Sequence, residues 1–255
     1  MYSSDKPAIK LNFVGAIYEF IGTFCLCFFG GLSVGHASAS PTTPALCHGI
    51  VLGVNVYIAA KYSGGLFNPA VAFGLLITKQ LDFANFILFT LFQVAGSLVS
   101  GIVLLLTTYN ARNSQITYPD LNDNVSITQG FVLEAIGSFM LMWNIYAVAV
   151  HHKSSRAVCG AIVGATLVVL VYGLGPITGA GFNPARNLGG LIMTRSYFFK
   201  HYLFGNGGWI FFTAPYVGAG LAAFLYEYGL LRLIKLQNSI EGVEDQEEHI
   251  RLKEK

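Results

Sequence analysis

Apolar residues fill long blocks of this chain, and polar residues collect between them. Between positions 11 and 60 the only Asp, Glu, Lys or Arg is Glu19, and positions 83–111 and 157–185 hold none. A block of about 18 or more apolar residues is long enough to cross a bilayer. Barrel strands of about ten residues would be far shorter. Lipid offers no hydrogen bonds to a backbone, so such blocks must be helices. The pattern predicts spans near 13–36, 44–60, 83–107, 128–150, 157–174 and 208–231. Two further apolar stretches, 62–78 and 175–194, are Gly-rich and interrupted by Pro69 and Pro184. Each is too short to cross. Each is expected to enter as a half-helix, turn and leave, with protein or water around its irregular backbone.

These two stretches are copies of one another. SGGLFNPAVAFG runs from Ser63 and TGAGFNPARNLGG from Thr178, which places the two Phe-Asn-Pro-Ala segments 115 residues apart. At the same offset Glu19-Phe20-Ile21-Gly22 aligns with Glu134-Ala135-Ile136-Gly137, and 45–70 shares 10 of 26 positions with 160–185, so the copy extends far beyond one motif. Val94–Leu98 matches Val217–Leu221 only after about eight extra residues near 195–207. The chain thus reads as one channel-like unit, 1–255, of two repeats, about 10–110 and 125–233, with a tail from 234. Three spans per repeat is an odd number, so the second copy enters from the opposite face. Interrupted segments at matching positions of inverted repeats point to a pathway at the bilayer midplane.

Composition agrees with this pattern. The chain is 54% hydrophobic and 11% charged, where soluble domains carry about a quarter charged residues. A net charge of +2 implies no polyanionic partner, and no patch suits nucleic acid. Lys6, Lys10, Lys79, Lys153, Arg156, Arg232 and Lys235 fall on the side shared by both ends, against Arg112, Arg195 and Lys200 on the other. By the positive-inside rule both termini are expected in the cytoplasm. No cleavage site follows the first apolar run, so it reads as a retained span. Cys25, Cys27, Cys47 and Cys159 fit no zinc spacing and read as small hydrophobes. Nothing suggests a cofactor, a metal site or an enzyme: there is no nucleophile elbow and no phosphate loop.

Asn68-Pro69-Ala70 and Asn183-Pro184-Ala185 each read as a helix start. Proline suits the first helical position, and asparagine just before it is a good N-cap. In inverted repeats the two starts meet head to head. Two helix N-termini then place positive potential at the midplane. Both asparagines can offer N–H groups to one passing oxygen, which orients a water and interrupts a proton wire. Arg186, after the second box only, supplies asymmetry. A cation in the membrane marks a pathway, and a guanidinium stays charged with donors in a rigid plane. Glu19 and Glu134 could be proton relays or anchors for the re-entrant loops.

Two Asn-Pro-Ala boxes, the second followed by arginine, each preceded by a Glu-bearing span in the same register, resemble the major intrinsic protein family, the aquaporins and aquaglyceroporins, over residues of about 10–233. The resemblance implies an all-α membrane fold: six transmembrane helices and two re-entrant half-helices in inverted repeats. It favours loop anchoring for Glu19 and Glu134. It implies a carbonyl stripe from Gly64, Gly65, Leu66, Phe67, Gly179, Ala180, Gly181 and Phe182, and a homotetramer. It also implies a selectivity filter at His48, Val171, Ala180 and Arg186. That set matches neither strict water channels nor glycerol channels, where Asp usually follows the arginine and this chain has Asn187. It is most similar to the plant vacuolar-membrane subgroup. Phe211 and Phe212 after Trp209 are closer to the water-channel pattern.

The expectation is a passive water channel that also passes small neutral solutes such as ammonia, urea, hydrogen peroxide or glycerol, in a plasma or vacuolar-type membrane. A coupled secondary transporter and a poorly conducting structural membrane protein are the alternatives. Coupling would need titratable groups facing the pathway, and His48, Glu19 and Glu134 are the candidates. With Ala180 where many members carry a thiol, weak mercury inhibition is expected. Asn124-Val125-Ser126 is a glycosylation sequon in a connection expected outside the cytoplasm. The 151–156 segment, His-His-Lys-Ser-Ser-Arg, could fold over the pore mouth and pair with the acidic tail, Glu244, Asp245, Glu247 and Glu248.

Overall fold

A computed structural model describes residues 10–35, 40–108, 118–151, 154–193 and 207–240. Lys6, Arg112, His152, Lys153, Arg195, Lys200 and the acidic tail residues lie outside the described set. The chain forms α1 (Phe13–Gly35), α2 (Thr42–Ala59), α3 (Pro69–Ile77), α4 (Phe83–Thr107), α5 (Ile127–Ile145), α6 (Arg156–Thr178), α7 (Pro184–Met193) and α8 (Ile210–Phe224). A π-helical turn, Tyr146–His151, extends α5, and another, Leu225–Leu230, carries α8 on to Ile240. Among the described residues, with these extensions, six helices are long and apolar enough to cross a membrane. The 23 residues of α1 reach about 34 Å at 1.5 Å per residue. α3 and α7, with 9 and 10 residues, go in only partway. The face where α1, α4 and α6 begin is called the lower face below, and the opposite one the upper face.

The spans follow the hydrophobic blocks closely except at the end of α6. The helix was expected to stop near 174, before Pro176, yet it continues to Thr178. A proline forfeits one backbone hydrogen bond and crowds the turn before it. α6 nevertheless carries Pro176 inside it and runs on for two more residues. What ends the helix is Gly179, with φ 77°, whose N–H returns to the Gly175 carbonyl at 2.9 Å. That is the left-handed C-terminal stop for which glycine is favoured.

Two features hold the bundle. At the crossing of α2 and α6, a Cβ on Gly49 would lie 2.5 Å from the Gly164 carbonyl oxygen, and one on Gly53 2.6 Å from that of Gly160. Both helices carry glycine at a four-residue spacing, so the backbones touch, as small residues allow at membrane helix interfaces. The bundle is also apolar outside: Phe83, Leu91, Leu106, Val169 and Phe224 are exposed, which suits lipid. Polar groups lie inside instead, including Glu19, Gln93, Glu134 and Asn187.

Candidate functional site

Each re-entrant segment is shaped by one buried carboxylate. Glu19 Oε1 accepts from the Ser63 hydroxyl at 2.5 Å and the Leu66 N–H at 2.9 Å. Its Oε2 accepts from the Phe67 N–H at 2.6 Å and the Gln93 amide at 2.7 Å. Glu134 repeats the arrangement on the Thr178 hydroxyl at 2.6 Å, the Gly181 N–H at 2.9 Å and the Phe182 N–H at 2.8 Å. These bonds hold extended backbone that cannot pair with itself. Phe67 and Phe182 sit at φ 50° and 49°, in the left-handed region. Their rings lie against Gly22 and Gly137, where an added Cβ would come within 2.1 and 2.2 Å. The repeated Glu-x-x-Gly thus couples an acceptor to a slot for an aromatic ring. Ser63 and Thr178 open both quoted stretches and were legible as a repeated hydroxyl. Gln93 has no such signal.

The boxes meet as inverted repeats require. Asn68 Oδ1 accepts from the Ala70 N–H at 2.9 Å, and Asn183 Oδ1 from Ala185 and Arg186 at 3.0 and 3.2 Å, so each caps its own half-helix. Each Nδ2 crosses to the other box: Asn68 to the Phe182 carbonyl at 2.8 Å, Asn183 to the Phe67 carbonyl at 2.7 Å. A primary amide has two N–H donors, so each asparagine keeps one beyond that cross-link. Both line a continuous cavity of about 320 Å³.

That lumen runs from Arg186, His48, Val171 and Ala180 above, past the boxes, to Val56, Ala60, Ser154, Arg156 and Cys159 below. Gly64, Gly65, Leu66, Phe67, Ala180, Gly181 and Phe182 line it too. Gly179 lines the upper vestibule instead, a space of about 510 Å³. His48, Val171 and Arg186 line both spaces and so stand where they join. The Arg186 guanidinium donates to the Ala180 carbonyl at 3.4 Å and to Asn187 Oδ1 at 3.5 Å. Asn187 in turn donates to the Phe211 carbonyl at 2.9 Å. His48 Nδ1 lies 2.8 Å from the Pro44 carbonyl, which can only accept, so that nitrogen carries the proton. Its Nε2 has no partner among the described residues and lies against Gly30. The wall at His48 is therefore less polar than the residue type suggested.

Three features escaped the sequence reading. Cys159 lines the lower lumen, its thiol 3.6 Å from the Val148 carbonyl and 3.5 Å from that of Ser154. The expectation of weak mercury inhibition rested on Ala180 and did not weigh this thiol. Cys47 is directed at the Phe29 carbonyl, 3.3 Å away, and is not among the lumen's lining residues. Second, Tyr118–Asp123 wall the vestibule. The Asn122 N–H bonds the Ile177 carbonyl at 3.0 Å, and a Cβ on Gly179 would meet Asp120 and Pro119 at 2.8 Å. Burial holds the Asp120 carboxyl above the usual carboxylate range, and Asp123 adds to it. Third, His151 pairs with the Tyr226 hydroxyl at 3.1 Å, tying the two π-helical turns together. Asn124 is exposed, and Ser126 of its sequon is the capping-box serine of α5.

Six crossing helices around a lumen, with two capped half-helices meeting in its wall, define a transmembrane channel. The sequence pattern described as "Major intrinsic protein" matches residues 9–226. Aquaporin NIP3-1 of Arabidopsis thaliana is 33% identical over 249 residues, covering 91% of this chain and 73% of that protein. Probable aquaporin TIP2-2 of Oryza sativa subsp. japonica is 30% identical over 228 residues, 83% of this chain and 85% of that one. The X-ray structure of the aquaglyceroporin from Plasmodium falciparum superimposes with a TM-score of 0.78 at 24% identity, over 87% of this chain and 98% of that one, and shares its fold. The chain belongs to the major intrinsic protein family. It is an integral, multi-pass membrane protein and a passive channel for water and small solutes.

Proposed function

We propose that this channel conducts water together with small neutral solutes, among them ammonia, urea, hydrogen peroxide and glycerol, and catalyses no reaction. The observation that supports this reading is the junction of lumen and vestibule. There Arg186 faces small side chains, Val171 and Ala180, and a histidine whose polar atoms are turned away. A wall of small residues leaves room for more than one water. The two asparagine amides and the half-helix N-termini orient an acceptor oxygen at the boxes, and the same positive potential repels hydronium. The loop carbonyls accept from a solute's hydroxyl or N–H groups; those of Phe67, Phe182 and Ala180 already accept one bond from the protein and keep a second lone pair. Glu19 and Glu134 act as anchors: each carboxylate holds three or four donors and neither lines the lumen.

Orientation and assembly belong to the same reading. The lower face is cytoplasmic, the membrane is a plasma or vacuolar-type one, and the channel is a homotetramer. Proteoliposome flux, run with water, glycerol, urea and ammonia without any ion gradient, tests the solute range. Water flux at low activation energy together with solute flux is expected, and water flux alone would reject the wide filter. Glycosidase treatment that shifts the wild type but not Asn124→Gln is expected if the upper face is outside. Native mass spectrometry reads the assembly.

A further inference from the structure

The lumen's fixed charge is not confined to its upper end. Among the described residues that line it, two carry a permanent charge, Arg186 above and Arg156 below, and none is Asp or Glu. Arg156 opens α6, whose N-cap Ser155 accepts from the Val158 N–H at 3.4 Å, so its guanidinium stands at the positive end of a 23-residue helix. It does not simply trail into water. The guanidinium carbon lies 5.6 Å from the centre of the Tyr57 ring on α2, within range of a cation–π contact. Arg156 lines the lower lumen, whereas Tyr57 lines the neighbouring groove at the α2–α6 crossing, so the contact holds the charge between the two. The preceding Ser154 lines the same space, held by its N–H on the Val148 carbonyl at 2.8 Å.

We propose that Arg156 is a second charge-selectivity residue of this channel, so that a cation passing Arg186 meets another positive potential at the lower mouth. A cleft lined by one sign of charge focuses its field between low-dielectric walls. Two such charges in series make cation exclusion redundant. Loss of Arg186 alone therefore leaves part of the barrier in place. Because Arg156 is exposed, its share is sensitive to salt in a way that a half-buried charge is not. The proposal goes beyond the solute range and rests on the channel reading only in that it needs an open lumen.

The test is K⁺ conductance of purified channel in planar bilayers, with water flux measured in proteoliposomes made from the same protein. Arg186→Val is expected to leak modestly. Adding Arg156→Gln should raise K⁺ conductance a further two- to five-fold or so in dilute buffer, the size expected of one exposed charge. The increment should shrink towards unity near 1 M salt, where the screening length falls to about 3 Å. Arg156→Lys in place of Arg156→Gln should restore exclusion. Equal conductance of the single and double variants in dilute buffer overturns the proposal, as does an increment that ignores salt or is not reversed by lysine. A second arm avoids any doubt about folding. Arg156→Cys, in an Arg186→Val and Cys159→Ser background, is modified after reconstitution from either side. A cationic methanethiosulfonate should lower K⁺ conductance and an anionic one raise it, from the lower side only. Equal responses to both reagents, or no response, overturn it. Absence of water flux in the wild type would instead sink the channel reading itself.

Discussion

Phe67 and Phe182 show how a single residue position is determined here. A left-handed backbone costs a side-chain-bearing residue about 1–2 kcal/mol. Hydrogen bonds to a carboxylate contribute about 1.5–3 kcal/mol each, and each of these N–H groups has one. The balance favours the unusual conformation as long as the ring has its slot. Gly137→Ala places a methyl 2.2 Å from the Phe182 ring. We expect it to dislodge the second box, abolish most water flux and lower the thermal midpoint in detergent. A variant with normal flux would show that the ring can relocate. Cys159 carries a second prediction at this scale. Its thiol lines the lower lumen, so mercurials or small thiol reagents should block water flux, and Cys159→Ser should abolish the block while Cys47→Ser leaves it intact. Inhibition that survives Cys159→Ser would place the sensitive thiol elsewhere.

Among the elements, α4 begins on a lone acidic cap. Asp82 Oδ1 accepts from the Asn85 N–H at 2.9 Å, and its other oxygen from the Asn85 amide at 2.6 Å. The Asn85 side-chain bond, then its backbone N–H, hold the Asp82 carboxyl below the usual 3.8. With the folded-state value depressed, the contribution is complete above the ordinary carboxylate range and disappears as pH falls through the folded value. Asp82→Ala should cost about 1 kcal/mol at pH 7. The gap to wild type should close as the pH drops below about 4, read from thermal or denaturant unfolding in detergent. A gap independent of pH would mean that the loss is not the ionised cap. At the α2–α6 crossing, Gly164→Val has nowhere to put its side chain: even a Cβ would lie 2.6 Å from the Gly49 oxygen. Overpacking of that kind costs about 1–3 kcal/mol, and the same unfolding assay reads it.

Over the whole molecule, the proposed filter stands where vestibule and lumen join. Val171 lines both spaces beside Arg186. Val171→Trp should close the junction to glycerol and urea before it closes to water, because the ring fills the wall that valine leaves open. Solute flux that persists while water flux falls would remove Val171 from the filter. The meeting of the two boxes further down the lumen explains why the chain needs both repeats. One box can cap a half-helix, but the Nδ2 of Asn68 and of Asn183 each finds its carbonyl only on the other box.

Much of this was determined by the sequence alone. Charge-free blocks longer than a bilayer is thick admit only helices, because lipid satisfies no backbone group. The 115-residue repeat, Glu19 with Glu134 and Asn68 with Asn183, specified two half-helices facing each other. Local chemistry, an asparagine cap before a proline, placed their starts. What only the tertiary structure decided is which side chains share the lumen. Arg156 and Cys159 look in sequence like any residues at a helix start, yet helix rotation and the α2–α6 contact turn them to the pathway. His48 was expected in the filter and lines the lumen, but the direction of its Nε2 depends on Gly30 of another helix. The span placed at 157–174 ended four residues early, because Gly179 ends the helix through a backbone angle that no pattern of polarity records.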